Sequence, residues 1–167
     1  MLITGYYYFY RNGVYVNKGF LMKTDVYGTV FWTKLYDSLN HQVRSNINYY
    51  DLIELKDGSI LLAGITNTDN TNGIEGDFIL TKTDNTGNII WNKIYTSRLW
   101  GTGFRDHFAV QQMKEDPLNG DIYITGSNRS QGYNMMLKCM YRTSLKEEPI
   151  SLLLPLCFQK CICLWVN

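Results

Sequence analysis

Proline, histidine and alanine are scarce in this chain, and net charge is nearly absent. It has three Pro and two His in 167 residues, with sixteen Lys and Arg against fifteen Asp and Glu. Few proline-free stretches are rich in good helix formers, so long helices have few candidates. A net charge of +1, with the cations spread along the chain, gives no electrostatic reason to expect nucleic acid or an anionic membrane. No run reaches a clean membrane span. The most apolar stretch, Ile150 to Val166, is broken by Pro155, Gln159 and Lys160. Met1-Leu2-Ile3-Thr4-Gly5 lacks the basic segment and small-residue cleavage site of a signal peptide. Cysteine is confined to Cys139, Cys157, Cys161 and Cys163, a set too skewed to indicate a redox compartment.

What the chain does contain favours strands. Thirteen Tyr, seven Phe and four Trp accompany many Ile, Val and Thr, and Asn, Asp and Gly gather between the apolar runs. Lys23-Thr24-Asp25 returns as Lys82-Thr83-Asp84, at 82 − 23 = 59, and the same offset relates Gly5 to Gly64, Gly28 to Gly87, Trp32 to Trp91, Lys34 to Lys93, Tyr36 to Tyr95 and Ser38 to Ser97. Eight of the sixteen positions from Lys23 to Ser38 recur identically. A fixed period of this size implies stacked supersecondary units.

One complete unit, from about Asn48 to Ser97, holds four strand-like runs: Tyr49–Leu55, Ser59–Ile65, Asp77–Lys82 and Asn88–Tyr95. Lys56-Asp57-Gly58 and Asp84-Asn85-Thr86-Gly87 supply tight turns. In the second of these an Asp carboxylate accepts N–H bonds two residues on, and Gly takes the left-handed conformation. Asp25-Val26-Tyr27-Gly28 keeps only those two positions. Trp91, Lys93 and Tyr95 share one face of the fourth strand, with Ile90, Asn92 and Ile94 on the other. Large apolar groups on both faces call for a sheet covered on both sides, and radial stacking of four-stranded sheets is the propeller architecture.

A third unit follows if the loops change length. Phe108–Lys114 matches Tyr50–Lys56 at 114 − 56 = 58, and Ile122–Gly126 matches Ile60–Gly64 at 126 − 64 = 62, four extra residues entering the turn. Tyr133–Lys138 then matches Asp77–Lys82. The expected fold is all-β, with consecutive four-stranded antiparallel blades forming an open or incomplete propeller of about three blades. A partial blade spans 1–38, a full one 39–97 and a partial one 98–141, giving three, four and three strands. Residues 142–167 read as a Cys-rich apolar tail, either packing on the last sheet or foreign to the repeat.

Side chains able to do chemistry are sparse. Asp106-His107 lacks an accompanying nucleophile in a Gly-x-Ser-x-Gly turn, and His41 reads as a surface loop residue. Asp106, His107 and Glu115-Asp116 are the acids and bases that depart from the repeat. Cys157, Cys161 and Cys163 are open to a thiolate metal site or one disulfide with Cys139, although their spacings differ from the two-residue knuckle of zinc sites. Asp69, Glu75 and Asp77 gather oxygen ligands in the loop from Asn67, without the spacing of a calcium loop. Asn128-Arg129-Ser130 is a glycosylation sequon. Trp100 with Tyr6, Tyr7, Tyr8 and Phe9 offers aromatic surface for a glycan or peptide, with core or interblade packing as the plainer reading.

The pattern Lys-Thr-Asp-x-x-Gly-x-x-x-Trp-x-Lys-x-Tyr, with the Asp-Gly-x-Ile-Leu-Leu-Ala-Gly strand, resembles a bacterial secreted and cell-surface β-propeller repeat family over Met1 to about Lys138. Thr86-Gly87-Asn88-Ile89-Ile90-Trp91 more narrowly resembles the docking motif by which Trp joins neighbouring blades in quinoprotein propellers. The resemblance implies an extracellular, non-catalytic module with a binding or scaffold role and no cofactor. As repeat positions, Gly5, Asp25, Gly28, Trp32, Gly64, Asp84, Gly87, Trp91 and Gly126 are expected to be structural. The partners expected are a protein or carbohydrate ligand and further copies of the chain, through open blade faces. A fragment of a propeller enzyme, of glycoside hydrolase or quinoprotein type, is the alternative.

Overall fold

Apolar runs separated by Asp- and Gly-containing turns become ten strands among the described residues. The computed structural model describes residues 1–11, 14–36, 46–67, 77–95, 107–130 and 133–141. The first three strands are β1 (Leu2–Arg11), β2 (Val14–Thr24) and β3 (Val30–Tyr36). The next four are β4 (Asn46–Glu54), β5 (Ile60–Asn67), β6 (Asp77–Thr83) and β7 (Ile89–Tyr95). The last three are β8 (His107–Glu115), β9 (Ile122–Ser130) and β10 (Tyr133–Tyr141). They form antiparallel sheets of three, four and three strands, in the orders β1-β2-β3, β4-β5-β6-β7 and β10-β9-β8. No helix occurs among the described residues, so the chain is all-β there.

Hydrogen-bond register carries the sequence period into space. Leu2 faces Lys23 and Gly5 faces Phe20, while Leu61 faces Lys82 and Gly64 faces Ile79, each partner 59 residues further on. The pairs β2–β3 and β6–β7 also slip at the same place. Lys23 opposes Trp32 and Thr24 opposes Val30; Lys82 opposes Trp91 and Thr83 opposes Ile89. Phe31 and Ile90 are therefore the extra residues of two equivalent bulges. A further pair of bulges leaves out Tyr50, between Tyr49↔Gly64 and Asp51↔Ala63, and Gln111, between Val110↔Gly126 and Gln112↔Thr125.

Those bulges correct the alignment expected for the last three strands. Val110, not His107 three positions earlier, is the counterpart of Tyr49, at 110 − 49 = 61. The turn insertion shrinks to one residue. Leu55 N–H closes onto Ser59 C=O at 2.8 Å, and Asp116 N–H onto Asp121 C=O at 2.7 Å. In β10, Leu137 faces Gly126 as Ile79 faces Gly64, so Lys138 is not the counterpart of Lys82. A two-residue slip preserves which face each side chain takes, so apolar patterning cannot detect it.

The four-stranded sheet is covered on both sides. Toward the third sheet, Leu61, Ala63 and Leu80 join Val110, Met113, Ile122 and Ile124, with Phe78 and Trp91 packed against them. Toward the first sheet, Ile60, Leu62 and Ile79 join Leu21, Tyr36, Ile47 and Tyr49, with Trp32 and Ile94 alongside. Alternate residues of β5 thus enter different cores, as the period of two requires. Each fully buried Leu or Ile contributes about 1.5–3 kcal/mol relative to exposure. Leu2 belongs to the second of these cores. Ile3 and Phe20 sit on the opposite side of the first sheet by strand alternation.

Candidate functional site

The most structured polar feature is a pair of turns with a carboxylate at the centre. In the turn after β6, Asp84 Oδ1 accepts from Thr86 N–H (2.9 Å), Asn88 N–H (2.9 Å) and the Thr86 hydroxyl (2.8 Å). Asn88 Nδ2 donates to Asp84 Oδ2 at 3.0 Å. Gly87 closes the turn at φ 80°, its N–H reaching Asp84 C=O at 3.1 Å. The donors favour the charged carboxylate, the Thr86 hydroxyl most, and hold the Asp84 pKa down to about 2. In the turn after β2, Asp25 Oδ1 accepts from Tyr27 N–H (2.9 Å) and Thr29 N–H (2.8 Å), and Gly28 has φ 88°. The Thr29 N–H is the main cause of a lowered Asp25 pKa.

The Asp84–Asn88 turn receives the first sheet. From β3, Trp32, Lys34 and Tyr36 all project toward the Asp84–Asn88 turn. The Tyr36 hydroxyl donates to Gly87 C=O at 2.9 Å, and Lys34 Nζ donates to Asn88 Oδ1 at 3.1 Å. A Cβ on Gly87 would lie 2.8 Å from Lys34 Cγ and 3.0 Å from Trp32 Cζ3, so the Trp ring and Lys stem occupy the space glycine leaves. Desolvation in this seam raises the Tyr36 pKa. Gly28 has the same backbone and nothing within 4 Å of its Cβ direction. The repeated Trp-x-Lys-x-Tyr and Asp-x-x-Gly segments therefore meet each other across the seam between the first and second sheets.

Trp91 is half-buried against the core shared by the second and third sheets, and Lys93 Nζ lies 5.4 Å from the centre of its ring. Gly5, Gly64 and Gly126 lie in β1, β5 and β9, facing Phe20, Ile79 and Leu137.

A second feature, at the edge of the same seam, is aromatic and exposed. Tyr6 and Tyr8 project from one face of β1, their rings 5.3 Å apart and nearly perpendicular. Tyr50, the bulged residue of β4, meets Tyr6 at 6.1 Å. These three are 38%, 58% and 44% exposed. Partial burial raises the Tyr50 pKa, opposed by a hydrogen bond with Asn48. Asn48 Oδ1 accepts from Asn17 Nδ2 at 3.0 Å, and Asn46 Oδ1 accepts from Asn17 N–H at 2.8 Å. On the opposite face of β1, Tyr7 stacks on Phe9 at 6.2 Å under Lys18. Sequence reading found Tyr6 and Tyr8 but missed Tyr50 and the three asparagines, whose meeting depends on a bulge.

Other residues singled out by sequence take plainer roles or fall elsewhere. Glu115 Oε2 accepts from Lys56 N–H at 3.1 Å, and Asp116 Oδ1 from Leu118 N–H at 2.8 Å, so both acids are turn and seam residues. Asp77 and His107 begin β6 and β8, and Cys139 and the Asn128-Arg129-Ser130 sequon lie in β10 and β9. His41, Asp69, Glu75, Trp100, Asp106, Cys157, Cys161 and Cys163 lie outside the described residues. Among the described residues no group of three or more His, Cys, Asp or Glu is placed to hold a metal ion. No helix there is long and apolar enough to cross a membrane. No protein-family model matches the chain, and no curated protein is similar to it.

Proposed function

We propose that the chain is a run of β-propeller units acting as a non-catalytic binding module, with the Tyr6–Tyr8–Tyr50 cluster facing the ligand. The exposure of those tyrosines carries the reading, because the fold does not require aromatics there. Counterparts of Tyr6 and Tyr8 in the second sheet are Ile65 and Asn67, and the counterpart of Tyr50 in the third is Gln111. Repeated positions, by contrast, serve turns and seams.

The propeller part is supported by stacked antiparallel sheets, by two equivalent bulge sets and by Trp32 seated on the next unit's turn. A secreted or cell-surface setting belongs to the same proposal and rests on the resemblance of the repeat.

A neutral carbohydrate fits the cluster best. Exposed tyrosine rings present flat apolar area with a polar tip, and the amides of Asn17, Asn46 and Asn48 lie beside them. Titration of soluble neutral oligosaccharides, followed by intrinsic fluorescence, tests it. Tyr8→Ala should weaken binding at least tenfold while leaving the urea midpoint unchanged. Affinity left at that of the unaltered chain by Tyr8→Ala and by Tyr50→Ala, or no binding across the panel, would remove this ligand class.

A further inference from the structure

Gly5, Gly64 and Gly126 hold equivalent places in three strands, yet their surroundings differ. At Gly64 the need for glycine comes from a neighbouring backbone. A Cβ there would overlap the carbonyl oxygen of Asn48 and lie 2.8 Å from Tyr49 Cα, where β4 crosses at its bulge. Gly126 likewise faces Val110 of β8 at the start of the equivalent bulge. Beside Gly5 no such strand exists among the described residues, because β1 is the edge of its sheet. A Cβ on Gly5 would meet only the far side of the Phe20 ring, 2.9 Å from Cε1 and 3.1 Å from Cζ. Glycine weakens the interior of a strand and marks sites of close backbone approach. β1 therefore carries a feature whose use in β5 is to admit a partner strand.

We propose that the outer edge of β1 accepts an extended peptide of β4-type sequence as an additional antiparallel strand, which completes the first sheet to four strands. The edge is undefended: Tyr6-Tyr7-Tyr8-Phe9-Tyr10 holds no proline or charge, the usual devices against strand addition. Main-chain hydrogen bonds would give affinity and alternate side chains the register, as in other strand-addition complexes. The register follows from β4 on β5. Gly5 would face the residue equivalent to Tyr49, Leu2 the equivalent of Ile53, and Tyr8 the equivalent of Asn46. An incoming strand must therefore bulge after its fourth residue, as Asn46–Glu54 does at Tyr50. This inference rests on register and glycine contacts, independently of the carbohydrate reading.

The test uses the full chain and a synthetic peptide of the sequence Asn46–Glu54. At about a hundredfold excess over half-saturation, the peptide should raise the thermal midpoint by about 5–10 °C. It should also slow exchange of β1 amide hydrogens at least tenfold. Gly5→Ala should abolish both effects, because its Cβ enters the space of the incoming backbone, while its own midpoint without peptide moves little. A peptide N-methylated along the edge facing β1 should fail on the unaltered protein, which covers the case in which Gly5→Ala does not fold. No shift with the peptide, an equal shift with a scrambled peptide, or binding that survives the N-methylation would overturn the proposal.

Discussion

Gly28 and Gly87 share a backbone conformation and differ in what surrounds them, which separates two effects that usually arrive together. A non-glycine residue at φ near +80° costs about 1–2 kcal/mol in either turn. At Gly87 the added methyl must also push back Trp32 and Lys34, whereas at Gly28 it meets open space. Gly28→Ala should therefore lose about 1–2 kcal/mol, and Gly87→Ala at least about 1 kcal/mol more, the range seen for overpacking. Urea unfolding of the two variants measures the difference directly. Equal losses would show that the Trp32 ring is not confined by the turn.

At the scale of elements, the turns that join strands depend on ionised carboxylates. Asp84 and Asp57 are each held down to about 2, Asp84 chiefly by the Thr86 hydroxyl and Asp57 chiefly by the Ser59 hydroxyl and then Lys82. Lys82 Nζ lies 2.9 Å from Asp57 Oδ2, tying β6 to the turn between β4 and β5. Unfolded aspartate titrates near 3.9. A depressed folded value means that the unfolded chain binds protons first, so the stability these turns contribute is complete above about pH 5. It is lost as pH falls from about 4 through 2. Denaturant midpoints should drop across that window, and Asp84→Asn should flatten part of the drop. The Asp57 carboxylate is 59% exposed, so added salt should weaken the Lys82–Asp57 share.

Across the whole molecule, the first sheet presents a face with nothing on it among the described residues. Leu35, Phe31 and Tyr7 are 57%, 62% and 56% exposed, and strand alternation puts Ile3, Phe20 and Met22 on the same side. In the second sheet the counterparts Leu62, Ile79 and Ile94 pack into the core under Leu21, Tyr36 and Trp32. The open face is thus the equivalent of one that the same chain covers elsewhere. Apolar faces of this kind drive association. Light scattering should show mass rising with concentration, and Leu35→Lys should suppress the rise without altering the cooperativity of unfolding. A monomer at all concentrations would show that this face is covered in solution.

The sequence alone determined the strand class, the period of 59 and the residues that build the turns. Each of these depends on neighbours a few positions apart, or on a spacing that can be counted. Asp84, Gly87 and Trp32 were legible because turn chemistry and aromatic placement are local signals repeated in two copies. Tertiary structure decided the rest. It showed that the turn on which Trp32 sits is the one closed by Gly87, and that Leu2 faces inward. It moved the third unit's alignment by two and three residues and brought Tyr50 to Tyr6. The physical reason is the bulge: one unpaired residue resets the register of everything beyond it, and only hydrogen bonds to a distant strand fix where it falls.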